Sequence, residues 1–120
     1  MSNENLKIRT KQFALRIIKL VESLPRDLTS NVLGRQLLRA GTSVGANYRA
    51  ACRGKSVADF ISKMGTMEEE ADESGYWMEL LVESGKIKPA KVSELMQEAG
   101  ELTAIAVSSI NTARKSGSHR

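Results

Sequence analysis

Apolar residues recur every three or four positions in four segments of the chain, and polar residues lie between them. The stripes are Leu6, Phe13, Ile17, Leu20, Val21 and Leu24; then Leu33, Leu37, Ala40, Val44, Tyr48 and Ala51; then Val57, Phe60, Met64, Met67, Ala71, Ser74, Met78 and Leu81; and finally Val92, Leu95, Met96, Ala99, Leu102, Ala106, Ile110 and Ala113. This spacing is that of a helix with one buried face, whereas a half-buried strand alternates apolar and polar residues. We therefore predict helices over residues of about 5–23, 30–53, 57–84 and 90–114, followed by a tail at 115–120.

The segments between the stripes contain residues that start and stop helices. Pro25 ends the first helix because the residue before a proline avoids the α region. Thr29 or Ser30 is expected to cap the second helix with a side-chain oxygen. Ser56 begins a capping box before the third helix, and Pro89 suits the first turn of the fourth. Long helices joined by short loops predict an all-α, up-down-up-down antiparallel four-helix bundle, with the whole chain as one domain.

Gly41 and Gly45 lie four residues apart on one side of the second predicted helix. Each costs about 1 kcal/mol relative to alanine inside a helix, so close approach of another backbone is the expected gain. The four stripes are also wide, and the second and third helices have small residues beyond them. An apolar surface broader than one protomer can bury predicts a homo-oligomer.

The composition indicates a cytoplasmic protein without a membrane partner. The chain has a single cysteine, Cys52, so it forms no internal disulfide and fits a reducing compartment. Its polar first residues do not resemble a signal peptide. No apolar run approaches the roughly 18 residues that a membrane-spanning helix needs.

The residues that could support catalysis are sparse. The acidic run at 68–73 suggests carboxylate metal ligands, but metal sites in bundles use Glu-x-x-His pairs and the chain has only His119, in its tail. Catalysis by a nucleophile and a neighbouring base is not expected either, because no histidine is placed in a predicted helix to act as the base. The sequence 54–56 ends like a P-loop, yet Arg49 stands where that motif requires its first glycine. We expect no enzymatic activity, no catalytic residue, no metal and no cofactor.

Charge is distributed unevenly along the chain. Residues 30–55 contain five bases and no acid, whereas residues 56–84 contain one base and eight acids. Arg49 and Arg53 either contact phosphate or pair with glutamates of the third helix, within or between subunits, and we favour the pairing. The predicted network for oligomer contacts and ion pairs comprises Arg35, Arg39, Asn47, Glu69, Glu70 and Glu73.

An up-down bundle brings the start of the first helix, the turn between the second and third, and the end of the fourth to one pole. That pole is basic, which is the electrostatic footprint of nucleic-acid binding. The predicted nucleic-acid-binding residues are Lys7, Arg9, Lys11, Arg49, Arg53, Lys55, Lys63, Arg114 and Lys115. Without an aromatic cluster for base stacking, contact with the RNA or DNA backbone is expected. The alternative function is a structural or protein-interaction scaffold in which the charges serve assembly only.

The run Arg39-Ala-Gly-Thr-Ser-Val-Gly-Ala-Asn-Tyr48 resembles a signature of the small bacterial four-helix-bundle family encoded in intervening sequences of 23S ribosomal RNA genes, also called S23 ribosomal proteins. Segments 59–64 and 68–81 resemble the third-helix region of that family. The resemblance implies a ring-like homopentamer. It also implies similarity to accessory proteins of diversity-generating retroelements, which are basic pentamers that bind nucleic acid and a reverse transcriptase. Many members have a glutamate where this chain has Ala50, so the nearby ion network is expected to differ.

Overall fold

The computed structural model describes residues 3–118, and within them it contains four α-helices and no strand. The helices are α1 (Asn3–Glu22), α2 (Leu28–Cys52), α3 (Val57–Glu83) and α4 (Pro89–Ser118). Each of them matches one predicted helix, and the predicted all-α four-helix bundle is confirmed. No helix in this part of the chain is long and apolar enough to cross a membrane.

The start of α2 differs from the sequence prediction. Asp27 is the N-cap, with an extended backbone and a side-chain oxygen that accepts a hydrogen bond from the Ser30 amide at 2.8 Å. The helix therefore begins at Leu28, and the predicted cap at Thr29 or Ser30 is wrong because the aspartate supplies the acceptor earlier. The predicted cap at Ser56 is confirmed, since its hydroxyl accepts from the Asp59 amide at 3.0 Å.

The end of α4 also differs. The helix continues to Ser118, so the tail predicted at 115–120 is wrong for residues 115–118. No proline lies in this stretch, and Gly85 is the one described glycine with positive φ, at 78°. Neither a proline nor a glycine with positive φ is therefore present near residue 114 to end the helix there. Residues 119 and 120, including His119, lie outside the described residues.

The helices form an elongated bundle with principal extents of 53 × 22 × 20 Å. Consecutive helices pack closely against each other, whereas α1 and α4 touch far less. The molecule is therefore best described as two layers, α1/α2 and α3/α4, joined mainly by the packing of α2 on α3. The core is aliphatic and rich in methionine. Its fully buried large side chains include Phe13, Ile17, Leu37, Val44, Met64, Met67, Met78, Leu81, Val92 and Leu102.

The glycines of α2 allow α1 to approach closely. A Cβ atom on Gly41 would lie 2.8 Å from side-chain carbons of Ile17, and one on Gly45 would lie 2.9 Å from Thr10 Oγ1. Both distances are shorter than van der Waals contact. Another helix, α1 of the same protomer, therefore approaches closely at Gly41 and Gly45, but the atoms nearest the two glycines belong mainly to its side chains rather than to the expected backbone.

Candidate nucleic-acid interface

A groove between α1 and α2 lies in the half of the bundle that contains the start of α1 and the end of α2. Its volume is about 510 Å³, and Thr10, Gly45 and Ala46 are among the residues that line it. The hydroxyl groups of Thr10 and Thr42, which both line the groove, donate to carbonyls of their own helices, Leu6 at 2.9 Å and Leu38 at 2.7 Å. The groove exists because the missing side chain of Gly45 lets the two helices meet closely at its base.

Three predicted nucleic-acid-binding residues line this groove: Lys7 and Lys11 from α1 and Arg49 from α2. Glu4 is the one acid among the lining residues. Lys11 and Arg49 are exposed, and Lys7 is half-buried. None of the three has an ion-pair partner within residues 3–118. The groove thus presents three cations that form no ion pair within the described residues, with one carboxylate, that of Glu4, beside them.

Other predicted basic residues extend this surface around the same pole. Arg53 and Lys55 are exposed in the turn between α2 and α3, and Arg114 and Lys115 are exposed near the end of α4. Lys63, on α3, is half-buried. Arg49 and Arg53 form no ion pair with glutamates of α3 inside the described protomer, so the pairing favoured from the sequence is not found within one subunit.

Arg9 is occupied differently from the other basic residues. Its Nε and Nη2 donate to the two carboxylate oxygens of Glu98 at 2.7 and 2.6 Å, and Nη2 also donates to Glu101 at 2.8 Å. The hydrogen bond to Glu98 is the main cause that holds the pKa of Arg9 above its ordinary value, against a smaller effect of burial. Arg9 therefore joins α1 to α4, and a phosphate would have to displace two carboxylates to reach it.

A second ion network links α2 to α3. Arg39 contacts Glu70 at 3.0 Å and Glu73 at 3.7 Å. Glu70 is buried, and the pKa of Glu73 is raised by burial first and by its hydrogen bond with Glu70 next. Of the six residues predicted for the network, these three come together.

The other three members of the predicted network lie apart from it. Asn47 donates to the Ser43 carbonyl of its own helix at 2.9 Å. Arg35 and Glu69 are exposed and have no ion pair in the part of the chain that the structure describes. The Arg9–Glu98 contact was not predicted from the sequence. The spacing of apolar residues within each helix does not show how α1 and α4 are aligned with each other.

Carboxylates do not gather into a metal cage in the described ranges. No group of three or more histidine, cysteine, aspartate or glutamate side chains is placed to hold an ion there. The acidic run at 68–73 is divided by the helical turn. Glu70 and Glu73 face Arg39, whereas Glu69 and Asp72 are exposed.

The chain matches the sequence model of the 23S rRNA-intervening sequence protein family over residues 4–108. It is also similar to a crystal structure, at 1.70 Å resolution, of a protein of unknown function from the S23 ribosomal protein family of Bacteroides thetaiotaomicron. That similarity has a TM-score of 0.85 and 34% sequence identity, and it covers 92% of this chain and 99% of the other. Among curated proteins no relative matches. With the match spanning nearly all four helices and the signature glycines at the α1/α2 contact, the chain belongs to the 23S rRNA-intervening sequence protein family.

Proposed function

We propose that this protein is a non-enzymatic, homo-oligomeric helical bundle that binds the phosphate backbone of RNA or DNA. The α1/α2 groove is the main contact, and the basic residues around the same pole extend it. In this role the protein is an accessory factor of a complex that contains RNA or a reverse transcriptase. Binding of this kind positions a polyanion and does not read its bases, because hydrogen bonds to phosphate carry no sequence information.

The observation that supports this function is a set of three cations in one groove that form no ion pair within the described residues. Lys7, Lys11 and Arg49 surround it, and no ion pair inside the described chain competes for them. A surface salt bridge is worth only about 0–1 kcal/mol, whereas a cation that meets a phosphate releases condensed counterions and gains from their entropy. Repetition of the groove around a homo-oligomer would multiply this effect along one nucleic-acid strand.

The experiment compares two charge reversals of equal size. Lys11→Glu/Arg49→Glu changes the groove, and Lys88→Glu/Lys91→Glu changes exposed lysines near the opposite pole. Fluorescence anisotropy would measure binding of a 30-nucleotide RNA and of duplex DNA at several salt concentrations. We expect the groove variant to lose at least tenfold in affinity and to reduce the salt slope by about 1 to 2, since two phosphate contacts disappear. The control should retain both values.

A protein-interaction scaffold is the second candidate function, and exposed apolar side chains favour it. Leu28 is 80% exposed and Tyr76 is 52% exposed, although both lie on helices. If the wild-type protein binds neither nucleic acid at low salt, or binds with no dependence on salt, the polyanion function is wrong. The scaffold then takes its place, with self-association or a protein such as a reverse transcriptase as the partner.

A further inference from the structure

The glycines of the α3/α4 layer have no neighbour that explains them. A Cβ atom added to Gly75 of α3 or to Gly100 of α4 would meet nothing within 4 Å. By contrast, the Cβ positions of Gly41 and Gly45 are closed by α1. Glycine disfavours a helix, so two glycines facing empty space reduce stability with no compensating contact inside the protomer. The surface of another molecule, packed on these glycines, would supply that contact.

Both glycines line one groove on the outer side of the α3/α4 layer. Its volume is about 400 Å³, and its lining includes Asp72, Tyr76 and Glu79 beside them. Asp72 and Glu79 are exposed and have no basic partner within residues 3–118. The groove therefore combines two glycines without side chains, an apolar side at Tyr76 and negative charge at Asp72 and Glu79.

A surface of complementary chemistry lies on the exposed face of α2. Leu28, Val32 and Arg35 follow one another on a single face of α2 at the spacing of helical turns. Leu28 and Val32 are 80% and 50% exposed. Arg35 is exposed and has no acidic partner in the described part of the chain. This α2 ridge is convex, apolar and positively charged at one end, where the groove is concave and negatively charged.

The ridge and the groove lie at the same level of the bundle. Arg39 contacts Glu70, and α2 runs antiparallel to α3. One turn before Arg39 on α2 therefore lies beside one turn after Glu70 on α3, which brings Arg35 level with Ser74, next to Gly75. The ridge lies on α2 and the groove lies between α3 and α4, so the two surfaces are on different helices of the protomer. Copies placed side by side can thus join ridge to groove without sliding along their axes.

We propose that the α2 ridge of one protomer docks in the α3/α4 groove of a second copy, with Arg35 at the level of Gly75, between Asp72 and Glu79, and with Val32 against Tyr76. The proposal rests on the self-association included in the proposed function and assigns its surfaces. The contact is heterologous, because a different patch of each copy takes part, and such contacts close into rings when the rotation allows. It leaves the cations of the α1/α2 groove exposed to other ligands.

A complementation experiment tests this arrangement. Val32→Glu/Arg35→Glu damages the ridge, and Gly75→Gln/Gly100→Gln fills the groove with polar side chains. Light scattering coupled to size-exclusion chromatography should find each variant monomeric and their equimolar mixture dimeric, because one intact ridge still meets one intact groove. Ser62→Gln/Ser108→Gln, at exposed positions outside both surfaces, should retain the wild-type mass. A monomeric wild type, an oligomeric single variant or a mixture that stays monomeric would each overturn the proposal.

Thermal unfolding shows whether a monomeric groove variant is folded. In the ridge-damaged background, Gly75→Gln/Gly100→Gln should raise Tm by several degrees, since helix formers replace glycines that touch nothing. A fall in Tm would mean that the glycines serve the protomer itself, which contradicts the proposal.

Nucleic-acid affinity separates this inference from the proposed function. The variant of the α1/α2 groove, Lys11→Glu/Arg49→Glu, should remain oligomeric while its affinity for RNA falls. The ridge variant, Val32→Glu/Arg35→Glu, should become monomeric, and each protomer should still bind RNA weakly.

Discussion

Arg9 and Glu98 join the first and last helices through two parallel hydrogen bonds, from Nε at 2.7 Å and from Nη2 at 2.6 Å. The Arg9 and Glu98 side chains are 28% and 17% exposed, so water competes only in part for these bonds. Because α1 and α4 share little packing elsewhere, this pair and the neighbouring Glu101 hold a seam that apolar contacts close weakly. The geometry is bidentate, which is the stronger form of an arginine–carboxylate pair.

Replacing Glu98 should therefore weaken the bundle. We expect Glu98→Gln to lower the free energy of unfolding by about 1–2 kcal/mol, since it removes a charge-assisted hydrogen bond and leaves Arg9 with the exposed Glu101. Urea denaturation at pH 7 measures the change. Glu94→Gln is the matched control: Glu94 is 91% exposed and lies 3.5 Å from Arg16, so its loss should not register. Equal effects of the two substitutions would show that the seam does not depend on the Arg9 contact.

Asp27, the N-cap of α2, is expected to cause part of the loss of stability of the protein at acid pH. The hydrogen bond from the Ser30 amide, followed by the contact with Lys86, lowers the pKa of Asp27 below its ordinary 3.8. A carboxyl with a lowered folded-state pKa stabilises the fold above its unfolded-state pKa, and this contribution is lost as the pH falls through the folded-state value. Asp27→Asn should therefore flatten the dependence of Tm on pH below about pH 4, where this carboxyl begins to bind its proton in the unfolded chain. An unchanged slope would mean that other carboxyls govern acid unfolding.

The Arg39 network makes a prediction that depends on burial. Glu70 is 8% exposed as a residue, and Arg39 is its one ion-pair partner in the described chain. Arg39→Met would leave this carboxylate buried without a counter-charge, at a cost of about 1–3 kcal/mol at pH 7. The double variant Arg39→Met/Glu70→Gln should recover most of that loss, because an amide carries no charge. If the double variant is no more stable than Arg39→Met, the penalty arises from lost packing of the arginine stem.

Sequence reasoning succeeded where one helix determines the outcome. The apolar period of each segment predicted its helix, and the spacing of Gly41 and Gly45 predicted a close helix contact that α1 provides. It failed where two distant helices must be aligned. Nothing local to Arg9 indicates that Glu98 stands opposite, and the sequence counted this residue among the exposed cations of the pole. The Arg39 partners were predicted as a group, yet their division into buried Glu70 and exposed Glu69 depends on the rotation of α3.

The glycines of α2 and α3 should respond to the same substitution with opposite signs. Gly45→Ala would bring a methyl group to 2.9 Å from Thr10 Oγ1 and 3.1 Å from Thr10 Cβ, so α1 must move away from α2. We expect a loss of about 1–3 kcal/mol in the free energy of unfolding, as for other overpacked contacts. Gly65→Ala meets nothing within 4 Å and should gain stability, by about 1 kcal/mol from helix propensity. Urea denaturation of both variants decides the matter: a Gly45→Ala protein as stable as the wild type would show that α1 is not pressed against α2 at this point, and a destabilised Gly65→Ala protein would show that the outer side of α3 is already occupied.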